Sequence, residues 1–230
     1  MKPNRRFTGD GVREYLDPQT RDWVPGVTSI LKMLPKSEGL TAWKRRNGNH
    51  KELTHKAAIQ GSLMHYRIQS KISDEDLELP DAPFDVVDEQ MLSNVELMEV
   101  MFSKLRFDWA YPRWIEYSVY RRQWPTYAGT LDTLCTMGPN GDTPSGLLLI
   151  DFKSSAEPYE SHQYQAGGYY MALPEDKRPE NAWIIYLSVN EKKNPLLEPK
   201  VTKMDRTDLE NYGNRFLGLA ARFHDEHKEE

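Results

Sequence analysis

The run Leu147-Leu148-Leu149-Ile150, closed by Asp151-Phe152-Lys153, constrains the fold more than any other stretch of the chain. Four consecutive apolar residues leave no polar face for water and are bounded by turn residues, so they read as a strand covered on both sides. Such a strand needs helices above and below it. Ile115 to Arg122 and Tyr127 to Met137 show a period of two and read as the strands before it. After it come a helix at about 159–173, a strand at about 182–189, a further strand near 196–204 and a closing helix at about 205–226. That last helix is amphipathic through Leu209, Tyr212, Phe216, Leu219 and Phe223.

Upstream the period is helical. Residues 5–24 carry Gly-Asp-Gly and Asp-Pro turns and read as a small hairpin or extended arm. Thr28 or Ser29 suits the cap of a short helix ending before Pro35. A second helix runs from near Ser37 to Arg46, and a third over about 51–71. Residues 72–84, with two prolines and five acidic residues, read as a loop, and a fourth helix follows at about 86–106. The expected fold is α/β: a central mixed sheet flanked by helices, with an N-terminal helical cap. An arm and cap would span 1–110 and the core 111–230, forming one compact unit, with about 85 helical residues ahead of the sheet.

The chain has 230 residues, a net charge of -5 and a pI of about 5.8. That excludes a protein coating nucleic acid by bulk electrostatics; binding would need a local basic patch or metal ions among the carboxylates. The single cysteine, Cys135, excludes intrachain disulfides and four-cysteine sites, and reads as a buried strand residue. No apolar stretch approaches the length of a membrane span and no apolar leader opens the chain, so a cytoplasmic protein is expected.

The chemistry concentrates in the second and third strands. If they pair about the Gly141-Asp142 bond, Asp132 stands opposite Asp151, and Lys153 projects from the same face as Asp151. Opposed carboxylates repel unless a cation lies between them, and hard oxygens suit Mg2+ or Mn2+. A lysine beside that pair makes sense if the substrate is an anion. Two carboxylates, a metal and a lysine are what phosphodiester hydrolysis needs. The competing reading is an exposed sheet face with ordinary charges, which a strand buried on both sides disfavours. Glu116 stands in the first strand as a supporting ligand, a base partner, or a half-exposed strand residue.

The pattern Gly61-x-x-x-His65, Gly129-Thr-Leu-Asp132, Ile150-Asp151-Phe152-Lys153-Ser154-Ser155, Gln165-x-x-x-Tyr169 resembles the RecB-like branch of the PD-(D/E)XK nucleases. The stretch Pro25-Gly-Val-Thr-Ser-Ile-Leu31, with Trp43-Lys44-Arg45 after it, is similar to the mitochondrial genome maintenance exonuclease and its phage relatives. The resemblance covers roughly residues 25–190. It implies metal binding by Asp132, Asp151, the carbonyl of Phe152 and His65, with Lys153 as the catalytic lysine. Gln165 and Tyr169 would contact DNA or brace the site. Ser154, Trp43, Lys44 and Arg45 are further candidates for DNA contact. Some relatives carry four cysteines around an iron–sulfur cluster; with one cysteine no cluster is expected. No phosphate-binding loop of an ATP motor is present.

Other residues carry weaker signals. Gly61 would let its helix approach the sheet. His162 and Gln163 stand near the site in sequence. Arg121, Arg122 and Trp124 form a second basic and aromatic group, while His224 and His227 read as a solvated tail. The expected activity is a Mg2+- or Mn2+-dependent DNA exonuclease acting on single strands or duplex ends, its helical cap gating the strand. A separate helicase, recombinase or single-strand-binding protein would be its partner in replication or recombination, in a bacterial or phage-infected cell. The alternatives are a non-catalytic DNA-binding scaffold, or an endonuclease, for which no target-recognition region is visible.

Overall fold

The computed structural model describes residues 3–36, 38–73, 86–105, 113–136, 146–190 and 192–227. The acidic loop and the turn around Gly141 lie outside them. Three short strands open the chain: β1 (Arg5–Phe7), β2 (Arg13–Leu16) and β3 (Trp23–Pro25), an antiparallel sheet in that order. Four helices follow: α1 (Val27–Ile30), extended by a 3-10 turn at Leu31–Met33, then α2 (Glu38–Arg46), α3 (His50–Ile72) and α4 (Glu89–Lys104). The main sheet holds β4 (Arg113–Arg121), β5 (Tyr127–Thr136), β6 (Leu147–Lys153), β7 (Asn181–Tyr186) and β8 (Lys200–Asp205). Helix α5 (Glu160–Ala172) connects β6 to β7, and α6 (Arg206–Glu226) closes the chain.

The five strands lie in sequence order, antiparallel except for the parallel β6–β7 pair. A parallel neighbour requires a crossover, and α5 supplies it. The expected mixed α/β architecture, a sheet flanked by helices, is what the chain adopts. Leu148, Leu149 and Ile150 are all fully buried, as a central strand demands. Leu148, Ile150 and Phe152 pack with Met64, Ile68, Met98 and Phe102 of α3 and α4. Leu149 points the other way, into a cluster with Tyr170, Leu209 and Phe216 of α5 and α6.

Three expectations change. The N-terminal helices have 4, 9, 23 and 16 residues, fewer than expected, and α3 and α4 form one layer of the sandwich. The arm is a three-stranded sheet whose Tyr15 and Val24 bury against Ala128 of β5. The cap residue of α1 is Gly26, not Thr28 or Ser29. Ser29 is buried; its hydroxyl accepts from Arg13 N (2.7 Å) and donates to Arg13 O (3.2 Å), tying α1 to β2. Asp88 and Asp205, by contrast, cap α4 and α6 by accepting from Met91 N and Asp208 N.

Helices α5 and α6 meet through glycine. A Cβ on Gly167 would collide with the backbone of Tyr212 and Gly213, and one on Gly213 would stand 2.7 Å from Met171 Cγ. Backbone cannot yield as a side-chain tip can, so Gly167→Ala is expected to destabilise the protein by about 2 kcal/mol. Gly218, on the same α6, faces open space, and Gly218→Ala should stabilise by about 0.5–1 kcal/mol through helix propensity. Urea midpoints of the two variants test this contrast, and equal shifts would contradict it.

Candidate active site

The β5–β6 ladder runs Thr136–Leu147, Cys135–Leu148, Leu134–Leu149 and Thr133–Ile150. One further step in this register is Asp132 opposite Asp151, and there the ladder ends. The N–H of Phe152 donates to Asp132 Oδ2 (2.8 Å), a carboxylate in the place of a neighbouring-strand carbonyl. The N–H and C=O of one strand residue share an edge, so the Phe152 carbonyl lies on the β5 side as well. Its ring is buried against Phe102.

The β4–β5 ladder shows a matching interruption. It pairs Ile115 with Thr133 and Tyr117 with Leu131, passing over Glu116 and Asp132 between them. Glu116 has φ 50°, a left-handed conformation that a side chain resists and that only surrounding structure can hold. Strict alternation fails here: Leu131 and Leu134, three apart, both join the α5–α6 side of the core. Glu116, Asp132 and Asp151 thus occupy one row across three strands.

Helix α3 lies over that row. Gly61, His65 and Gln69, one turn apart each, face Ser154, Asp132 and Glu116 in turn. A Cβ on Gly61 would lie 3.5 Å from Ser154 Oγ, an ordinary contact, so Gly61 is not required for close approach. His65 Nδ1 is 3.3 Å from Asp132 Oδ2. Gln69, 3% exposed, donates through Nε2 to Glu116 Oε1 (2.8 Å). Gln69 was not singled out in the sequence, although it continues the Gly61–His65 stripe by one turn.

From the other side α5 supplies a bracket. Lys153 Nζ lies 2.5 Å from Asp151 Oδ2 and donates to Gln165 Oε1 (3.1 Å). Gln165 Nε2 donates to Tyr169 Oη (2.9 Å) and Asp151 Oδ1 (3.3 Å). Tyr169 is 3% exposed, and a Cβ on Gly129 would come within 2.6 Å of its ring. The glycine of Gly129-Thr-Leu-Asp132 therefore makes room for Tyr169. Packed in this way, Tyr169 braces the site, one of the two roles expected of it. His162 also borders the site, its Nδ1 3.3 Å from Tyr186 Oη.

The electrostatics follow from this crowding. Asp132 and Asp151 are 9% and 2% exposed. Burial raises the Asp151 carboxyl and the Asp132 charge adds to it; Lys153 opposes them, leaving Asp151 at about 6. Burial also acts on Asp132, but His65, Lys153 and the Phe152 N–H outweigh it and hold Asp132 below the usual carboxylate range. Burial pushes His65 down, and Asp132 more than reverses it. Glu116 is raised by the protein packed about its carboxyl and by Asp132. Burial and then Lys153 lower His162 to about 3, so its ring is neutral.

Other candidates lie elsewhere. The side-chain bonds of the Trp43-Lys44-Arg45-Arg46 segment run within α2 and its C-terminal turn, with Arg46 Nε donating to Ala42 O and Asn47 Nδ2 to Trp43 O. No described contact brings them to the carboxylates. Arg122 pairs with buried Asp17 (2.8 Å), and Arg121 donates to Met171 O, so both hold the fold. His224 is not solvated: Nε2 lies 2.6 Å from Thr126 O, and its ring is 4.8 Å from Trp124. His227 stacks on Phe223 at 4.0 Å. Cys135 is buried, as expected.

Among the described residues no group of three or more His, Cys, Asp or Glu side chains stands arranged to hold a metal ion, and no helix is long and apolar enough to cross a membrane. The donor chemistry at Asp132 and Asp151 nevertheless suits a hard cation. Asp151 Oδ2 is buried with no hydrogen bond of good geometry, its ammonium neighbour making a charge contact only. Lys153 and His65 occupy the carboxylates, so loading would require them to yield.

No family model matches the chain, and no curated protein matches it. Among solved structures it is similar to one described as the crystal structure of SSO0001. The identity is 11%, over 78% of this chain and 86% of the other, with a TM-score of 0.31.

The Asp151 geometry carries a consequence for stability. With a folded pKa raised to about 6 against ~3.9 unfolded, its contribution is fully present below pH ~4 and is lost as pH rises through about 6. In chelator, Asp151→Asn should therefore gain stability over the parent across that window. The gain should be on the order of 3 kcal/mol and level off above pH 7. Denaturant titrations at half-unit pH steps check this, and a flat difference from pH 4 to 8 would refute it.

Proposed function

We propose that the protein is a Mg2+- or Mn2+-dependent DNA exonuclease of the PD-(D/E)XK type. The observation that supports it most is the meeting of His65, Asp132, Asp151 and Lys153 in one buried cluster, drawn from α3, β5 and β6. Residues 67 positions apart in sequence, His65 and Asp132, are within hydrogen-bonding range. A mixed sheet with a crossover helix and helices on both faces accords with such a core.

Each residue has a role in this reading. Asp132, Asp151, the Phe152 carbonyl and His65 would hold the cation, with Glu116 supporting. A bound divalent ion lowers the pKa of a water and neutralises charge on the phosphate. Lys153, held by Gln165, places its ammonium beside Asp151, where it can orient the attacking oxygen and stabilise charge developing on the phosphate. Tyr169, seated against Gly129, fixes Gln165.

Linear single-stranded DNA incubated with Mg2+ should be degraded from its ends, while a closed circle of equal sequence persists. Asp151→Ala and Lys153→Ala should each lower the rate by about 100-fold or more. Cleavage undiminished in both variants would remove this site. Absence of cleavage in the parent with any divalent ion would favour a DNA-binding scaffold that keeps the fold.

A further inference from the structure

The face of β4 and β5 that carries Glu116 and Asp132 is covered at two points. At Tyr120 and Ala128 it lies under the N-terminal sheet, through Tyr15 and Val24. At Glu116 and Asp132 it lies under α3, through Gln69 and His65. Alternation places the Ser118–Thr130 pair on the same face, between the two covers. Both of these hydroxyls lack a hydrogen-bond partner among the described residues. These two buried hydroxyls stand between the arm and the carboxylates on that face.

The arm presents a particular chemistry to that face. In the β1–β2 register Arg5 stands opposite Tyr15 and Phe7 opposite Arg13, so all four share the inner face. Phe7 is 63% exposed, so its ring is open to a ligand. The Arg13 guanidinium lies 5.2 Å from its ring centroid. Arg5 makes no ion pair or hydrogen bond among the described residues, and it is near enough to Glu116 for its charge to be felt there. Arg6 points outward, paired with Glu14 at 2.8 Å and stacked over Trp23. Of Arg5, Arg6 and Arg13, only Arg6 has an ion pair among the described residues.

We propose that the three-stranded N-terminal sheet is a second wall of the site, binding single-stranded DNA with Arg5 on the phosphate backbone and Phe7 against a base. This rests on the nuclease reading and extends it to a surface that the sequence motifs did not mark. An exposed aromatic beside unpaired guanidinium is the pairing that single strands use, a base face for stacking and an anion for charge. A duplex keeps its bases stacked on one another and offers Phe7 nothing comparable.

The test measures binding apart from cleavage. Anisotropy of a short fluorescein-labelled oligo-dT is titrated with the full chain in chelator, for the parent, Arg5→Ala, Phe7→Leu and Arg6→Ala. Arg5→Ala and Phe7→Leu should each weaken binding about five- to tenfold. Arg5→Ala should also lower the salt slope by roughly 0.7. Arg6→Ala, on the outer face, should bind as the parent does, and all melting curves should coincide. Unchanged affinity in the first two variants, an equal loss in Arg6→Ala, or an equal loss on a blunt duplex would overturn the proposal. Unchanged affinity together with cleavage that depends on Asp151 would reject the second wall and leave the nuclease standing. Cleavage indifferent to Asp151→Ala would reject the nuclease site instead.

Discussion

The hydrogen bond from Phe152 N–H to the Asp132 carboxylate organises everything around it. A buried carboxylate must find donors, and a strand N–H at the end of a ladder must find an acceptor. Each solves the other's problem, and the price is that β5 and β6 stop pairing one residue short of the two acids. The same compromise appears on the other side of β5, where Glu116 adopts a left-handed backbone opposite Asp132. The acids flanking these interruptions meet α3 on one side and α5 on the other.

Two helices then hold the charges from opposite sides. His65 and Gln69 of α3 engage Asp132 and Glu116, while Gln165 of α5 engages Asp151 and Lys153 at once. The supporting shell is rigid because it is packed: Tyr169 fits only against a glycine at 129, and α5 sits close to α6 only because Gly167 and Gly213 lack side chains. Residues with no chemistry of their own thereby set the position of those that have it. Asp151 remains strained in charge even so, since a single ammonium compensates it in a buried setting.

Much of this was legible from local pattern. The period of two over β4, the buried run of β6 and the helical spacing of α6 gave the architecture, because burial selects residue type position by position. The β5–β6 register was readable too, since the observed ladder lies on the pairing expected from the turn. The Ser29 cap failed because a residue sixteen positions away, Arg13, claimed its hydroxyl. For Trp43, Lys44 and Arg45 pattern offers no such guide, because a basic helix end and a phosphate-binding patch have the same composition.

The amino-acid order alone determined which strands are central and that Asp132, Asp151 and Lys153 come together, for these depend on neighbours along the chain or across one turn. Only the tertiary structure decided the partners of Gln69, the kink at Glu116, the burial of Tyr169 and the face on which Phe7 and Arg5 lie. Those depend on which helix covers which end of the sheet, and contacts between elements far apart in the chain leave no period in the sequence that joins them.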